Sequence, residues 1–133
     1  MLDHLGFNVG DYAASRDFYR QALAPLGYGV VMEVTREMSG GYEGCGFGPA
    51  GRPQFWVGNS GSDAHAGGMH IAFIAKSRAE VDAFHAAAIA AGGRDNGAPG
   101  LRPHYHPDYY GAFVIDINGQ NIEAVCHAPE AST

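Results

Sequence analysis

Three side chains in this sequence have the types and the spacing that hold a divalent metal: His4 in LDHLGFNV, His70 in GMHIAFIA and Glu123 in NIEAVCH. Each lies in a segment whose apolar residues alternate, and each falls on the side opposite to them. Leu5, Phe7 and Val9 take one face of the first segment and His4, Gly6 and Asn8 the other, the pattern of a strand with one buried side. In the last segment Ile122, Ala124 and Cys126 oppose Asn121, Glu123 and Val125. Two imidazoles and one carboxylate supply three ligands and leave positions open for water, dioxygen or substrate, as a catalytic ion requires. A single buried histidine is more often a hydrogen-bonded core residue than a ligand. The matched positions of two, with an acid on the right face, favour the metal. His127 shares the strand face of Glu123 but stands about 13 Å along it at ~3.3 Å per residue, out of ligand reach.

A second group of chemistry-bearing residues crowds GLRPHYHPDYYG, where Arg102, His104, Tyr105, His106, Tyr109 and Tyr110 precede a strand. A histidine here suits an acid/base and a tyrosine hydroxyl suits a donor to a polarised substrate oxygen. His106 and Tyr109 are the expected pair, with Arg102 and Tyr110 as substrate contacts. The other readings are a solvent loop stiffened by Pro103 and Pro107, or a surface site of His104 and His106 alone. Tyr42, Phe47 and Trp56 form a candidate aromatic wall, from which Tyr42 and Trp56 are the expected substrate contacts, although core packing also explains aromatic strand residues.

The elements that must position these residues occur twice. After the first strand, DYAASRDFYRQALAPLGY opens on Asp11 as N-cap, puts Tyr12, Phe18, Tyr19, Ala22, Leu23 and Leu26 on one helical stripe, and stops at Gly27. After His70 the helix SRAEVDAFHAAAIAAGG begins with Ser77 and Glu80 spaced as a capping box. A shift of 66 positions (70 − 4) lays His4 on His70, Phe7 on Phe73, Phe18 on Phe84, Leu23 on Ile89 and Gly27 on Gly93. Short strands follow each helix: residues 28 to 35, 42 to 48 and 53 to 58, then 94 to 97, 110 to 116 and 120 to 127. The expected fold class is therefore α+β, two βαβββ modules (1–60 and 67–128) in one domain spanning 1–133, forming a curved mixed sheet around a cleft that both histidines face. The glycine-rich stretches SGGYEGCGFGPAG and NSGSDAHAGG read as turn material between short strands.

Composition excludes several classes. The chain has 133 residues, 46% of them hydrophobic and 17% charged, and no apolar run long enough for a bilayer. Eight basic residues against 14 acidic ones give a formal charge of −6, and the basic residues are scattered, so no stripe exists for a nucleic acid. MLDHLGF has neither a basic nor an apolar leader region, and Cys45 and Cys126 are too few for a disulfide framework. The expectation is a cytoplasmic protein with no membrane and no nucleic-acid partner.

DHLGFNVGDYAASRDFYRQALAPLGY, GMHIAFIA and YYGAFVIDINGQNIEAVCH, with their spacing HxGF, HxAF and GxNxEAV, resemble the vicinal oxygen chelate superfamily, which comprises glyoxalase I, extradiol dioxygenases, and fosfomycin- and bleomycin-resistance proteins. The resemblance covers nearly the whole chain. It implies metal ligands on the first and last strands of each module, hence His4, His70 and Glu123, holding Fe2+, Mn2+, Zn2+ or Ni2+. It implies a fourth ligand place at the end of the first module. Aligning FWV with IEA puts Trp56 there, which cannot ligate, and this departure weakens a lactoylglutathione lyase reading. The resemblance further implies a small-molecule substrate, a homodimer, and either a glyoxalase-like lyase or isomerase using Glu123 or a metal-bound water for proton transfer or an extradiol-type dioxygenase. The alternative is a bleomycin-resistance-type binding protein without catalysis.

Overall fold

A computed structural model describes residues 1–61, 64 and 67–130. Ser62, Asp63, His65 and Ala66, within the stretch read as turn material, lie outside the described residues, as do residues 131–133. The first module runs β1 (Leu5–Asn8), α1 (Tyr12–Leu23), β2 (Gly29–Val34), a short α2 (Arg36–Ser39), β3 (Glu43–Gly48) and β4 (Phe55–Asn59). The second runs β5 (His70–Ile74), α3 (Arg78–Ala90), β6 (Arg94–Leu101), β7 (Tyr110–Ile115) and β8 (Asn121–Cys126). The α+β class and the doubled βαβββ order stand as expected. They form two four-stranded mixed sheets, ordered β1-β4-β3-β2 and β5-β8-β7-β6, each with one parallel pair, β1 with β4 and β5 with β8.

Local chemistry sets the helix ends. The Asp11 carboxylate accepts from Ala14 N at 3.0 Å, and a 3-10 turn at Ala24–Leu26 closes on Gly27, whose φ of 82° no β-carbon residue adopts cheaply. The Ser77 hydroxyl accepts from Glu80 N at 3.2 Å, and Glu80 reaches back to Lys76 N at 3.0 Å. Two elements depart from the sequence reading. The helical turn α2, capped by Thr35, was not expected. Strand β6 continues to Leu101 through NGAPGL, a stretch that reads as turns; as an edge strand it tolerates Pro99 and the irregular register around Gly97.

One core serves both modules. Phe18, Tyr19 and Leu23 of α1 and Val81, Phe84 and Ala88 of α3 are buried with Phe47, Phe55 and Val57 of sheet 1 and Phe73, Val114 and Ile122 of sheet 2. Each such aromatic contributes about 1.5–3 kcal/mol by burial. Phe55 and Phe73 meet edge to face at 5.1 Å across the module boundary, and α1 packs on α3. A polar clamp adds to this: the Tyr19 hydroxyl of α1 donates to the buried Asp116, whose other oxygen takes Asn118 N and Gln120 N at 2.8 Å each, and Asn118 reaches Ser15 at 3.1 Å. Since both sheets put their helix-side faces into this shared core, the opposite faces, with Trp56 on one sheet and Glu123 on the other, turn away from it. Among the described residues, no helix is long and apolar enough to cross a membrane.

Candidate metal and substrate site

Strand alternation places Glu123 as its neighbours predict. Ile122, Ala124 and Cys126 enter the core, and Glu123 projects from the other face of sheet 2, yet it is only 1% exposed. Buried carboxylates need donors, and two side chains approach. The Tyr109 hydroxyl donates to Oε2, and His70 Nε2 lies 2.9 Å from Oε1. Burial first, then the bond to Glu123, holds the Tyr109 hydroxyl above its ordinary range, so it remains a protonated donor at neutral pH.

His70 is oriented from three sides. Its Nδ1 lies 3.1 Å from the Asn121 carbonyl oxygen. A carbonyl only accepts, so Nδ1 carries a hydrogen and Nε2 is the nitrogen turned towards the carboxylate. That pairing requires a shared cation, either a proton or a metal. The 2.9 Å separation is the spacing of two ligands at right angles on an ion with bonds of roughly 2.1 Å, so the pair fits two neighbouring corners of a metal centre. Phe113 stacks on the His70 ring at 6.1 Å, and the Arg102 guanidinium lies 5.5 Å over Phe113.

His4 stands on sheet 1. Its Nδ1 bonds the Asp3 carboxylate at 2.7 Å, which leaves Nε2 without a partner among the described residues. A histidine with one nitrogen tied to a carboxylate or carbonyl and the other left for an ion is the arrangement metal ligands adopt; His4 has it, and His70 has its Nδ1 tied to a carbonyl with Nε2 turned to Glu123. Within the single chain, however, the structure does not bring them together: among the described residues no three of His, Cys, Asp and Glu are grouped to hold an ion. The cleft both were expected to face needs sheets that oppose each other by their outer faces, whereas these sheets meet through the core.

The remaining expected residues divide. Tyr109 reaches Glu123. His106 does not: its Nδ1 accepts from Asp108 N at 3.1 Å and its ring meets His127 at 5.7 Å, with His127 in turn 5.1 Å from Tyr109. Arg102 borders the site through Phe113 but spends its donors on Gly100 O and Ala98 O at 2.9 and 2.8 Å, holding the loop's entry. Tyr110, expected as a substrate contact, lies on the opposite face from Glu123. It opens β7 in phase with Ala112 and Val114, so it points to the helix side, where its hydroxyl donates to Asp82 at 2.6 Å under Arg78 at 5.2 Å. That bond and burial raise its hydroxyl. Arg78 covers the Tyr110 ring.

On sheet 1 the alignment of FWV with IEA holds as register: Trp56 pairs with Gly6 as Glu123 pairs with Ala72. Trp56 and Tyr42 pave the outer face. A β-carbon at Gly46 would come within 2.8 Å of the indole, and one at Gly44 or Gly58 would run into the Tyr42 ring, so these strand positions are glycine because rings lie on them. Gln54 sits at the edge, beside Trp56 and His4. Sequence reasoning passed over Phe113 and Arg52; alternation within GAFVI, read in the phase that buries Tyr110, points to the first, and no pattern marks the second.

Paired βαβββ modules define a class of folds, and the comparisons agree with it. Residues 1–123 match the Glyoxalase/Bleomycin resistance protein/Dioxygenase superfamily. The chain belongs to that superfamily. The structure is similar to a glyoxalase/bleomycin resistance protein from Albidiferax ferrireducens T118, at 31% identity and a TM-score of 0.73, covering 95% of this chain and 98% of that one. It shares its fold with a glyoxylase/bleomycin resistance protein/dioxygenase domain from Frankia sp. EAN1pec, at 14% identity, a TM-score of 0.71 and coverage of 95% and 96%. A glyoxalase I mutant from Zea mays matches at 20% identity and a TM-score of 0.70 over 93% of this chain and 46% of that one. Among proteins of curated function none matches the sequence.

Proposed function

We propose that the protein is a divalent-metal-dependent enzyme of this superfamily, acting on a small substrate that chelates through oxygens, with its centre completed between two copies of the chain. One observation carries the reading: His70 Nε2 faces the buried Glu123 carboxylate at 2.9 Å with its Nδ1 tied to a carbonyl, an arrangement that suits two neighbouring ligands of one ion. His4, its own Nδ1 tied to Asp3, is the third ligand and comes from the outer face of sheet 1 in the other copy. Held by these three residues, Fe2+, Mn2+, Zn2+ or Ni2+ would polarise a substrate oxygen, or activate dioxygen where it is iron.

The chain's own residues do the rest. Tyr109 directs a hydroxyl hydrogen at Glu123 and is placed to share it with charge developing on substrate. Glu123, buried and acceptor-only, takes or returns a proton in a lyase or isomerase reaction; in an extradiol-type dioxygenase it serves as ligand alone. Phe113 and Arg102 keep the His70 ring from turning. The aromatic paving of sheet 1 favours one second reading, a bleomycin-resistance-type protein that binds a small molecule without turning it over.

Elemental analysis of the purified chain separates the two. The enzyme reading expects stoichiometric divalent metal in the wild type and its loss in His4→Ala, His70→Ala and Glu123→Ala, with His127→Ala retaining it. Metal content near wild type in all three ligand variants sinks the assignment. Assays of the metal-loaded protein with catechols and with hemithioacetals then divide dioxygenase from lyase.

A further inference from the structure

Trp56 takes no part in the proposed metal centre, yet it occupies the position that corresponds to one. It pairs with Gly6 and Gly46 in sheet 1 as Glu123 pairs with Ala72 and Phe113 in sheet 2. The ring reaches over β3, where Cε2 and Cζ2 would lie 2.8 and 2.9 Å from a β-carbon at Gly46. An indole lying along a sheet presents a face rather than an edge. That side chain borders an open cleft of about 430 Å³ with Asp3, His4, Arg52, Pro53 and Gln54.

One cation among the described residues borders this cleft. Arg16, Arg20, Arg36 and Arg78 are each paired with a carboxylate. Arg52 is exposed and, among the described residues, meets none. It stands on the β3–β4 turn, its N–H held by the Pro49 carbonyl at 3.0 Å. Asp3, the acid of the cleft, is engaged by His4 at 2.7 Å, so the unpaired group is a guanidinium.

We propose that this cleft is a subsite for a planar aromatic carboxylate, the arene lying on Trp56 and the carboxylate held by Arg52, with the Gln54 amide as a further donor. A π-face rewards a flat ring over an aliphatic one of equal area. A guanidinium fork selects a carboxylate over a neutral polar group. The subsite rests on the proposed function in sharing the cleft with His4, so that a ring held there presents its oxygen substituents to the centre, but binding of the acid itself needs no metal.

Trp56 is the sole tryptophan, so its indole N–H gives one resonance in a 15N–1H spectrum. Benzoate, titrated into the full chain after chelator treatment, shifts that resonance saturably. Cyclohexanecarboxylate binds at least several-fold more weakly, as stacking alone predicts. Arg52→Gln weakens benzoate about tenfold or more, the effect of losing a charge-assisted pair, and leaves the affinity for phenol unchanged. His70→Ala and Glu123→Gln lose metal yet bind benzoate as the wild type does, which separates failure of the subsite from failure of the metal centre. Calorimetry on Trp56→Ala, which lacks the reporter, shows no benzoate binding, with the dispersed spectrum of the other amides confirming its fold. Equal affinity for benzoate and cyclohexanecarboxylate, indifference to Arg52→Gln, or shifts that do not saturate overturn the proposal.

Discussion

Glu123 is a buried acid with two side-chain partners of different kinds, and the difference determines what each removal does. Tyr109 donates to it and is not a ligand, so Tyr109→Phe leaves the carboxylate and His70 in place while deleting the donor. Metal content should stay at the wild-type level and turnover should fall about 10²-fold or more, the scale of one lost acid/base or oxyanion donor. Elemental analysis beside steady-state kinetics checks both halves; a Tyr109→Phe enzyme of unchanged kcat would reduce the tyrosine to a structural partner. Among the described residues His106 makes no hydrogen bond or ring contact to Glu123 or His70, and His106→Ala should have a smaller effect, acting through His127 against Tyr109. Glu123 was legible in the sequence because strand alternation is a local rule that its neighbours obey. Tyr110 was not, since the phase of a strand entered from an irregular loop is fixed only by which residue first joins the ladder.

At the scale of elements, α1 and the β7–β8 turn belong to different modules and are joined by the Tyr19–Asp116 bond. Tyr19 is fully buried and Asp116 is 4% exposed, so Tyr19→Phe leaves one carboxylate oxygen without its donor in a dry place. The expected cost is about 1–3 kcal/mol, seen as a Tm lower by several degrees, whereas Tyr105→Phe, at 60% exposure, should change Tm little. Burial first, then the Asp116 charge, raise the Tyr19 hydroxyl well above 10.0. A folded value above the unfolded one gives stability that is complete below about pH 10 and fades as pH rises towards the folded value. Denaturant titrations at pH 8 and at pH 11 should therefore show a smaller alkaline loss in Tyr19→Phe than in the wild type, and an equal loss would assign that loss to other groups. The two long helices, α1 and α3, were legible from caps and periodicity. The end of β6 was not, because NGAPGL carries turn residues that an edge strand accommodates and a propensity reading does not.

For the whole molecule, the 66-position repeat foretold two equivalent sheets but not which faces they would turn to each other. Alternation assigns a side chain to a face of its own sheet; which two faces meet depends on how the helices pack, and here α1 on α3 puts the shared core between the sheets. In the proposed dimer those outer faces would meet, His4 and Trp56 of one copy opposite His70 and Glu123 of the other. Such a two-fold pair would contain two equal sites, each drawing His4 from one copy and the remaining ligands from its partner. Complementation follows from that symmetry. A chain with His4→Ala and a chain with Glu123→Ala each form pairs in which both sites are broken. In the mixed pair one site collects both lesions and the other collects none. After subunit exchange to statistical proportions, half the molecules are mixed and half their sites are intact, so metal content should recover to about a quarter of the wild-type value from near zero in either variant alone. Mixing His70→Ala with Glu123→Ala should recover nothing, since both lesions fall in ligands supplied by the same copy. Sedimentation before and after mixing verifies that the chains pair and exchange; recovery absent in exchanged His4→Ala and Glu123→Ala dimers, or equal in both mixtures, would show that the ligands are not divided between copies.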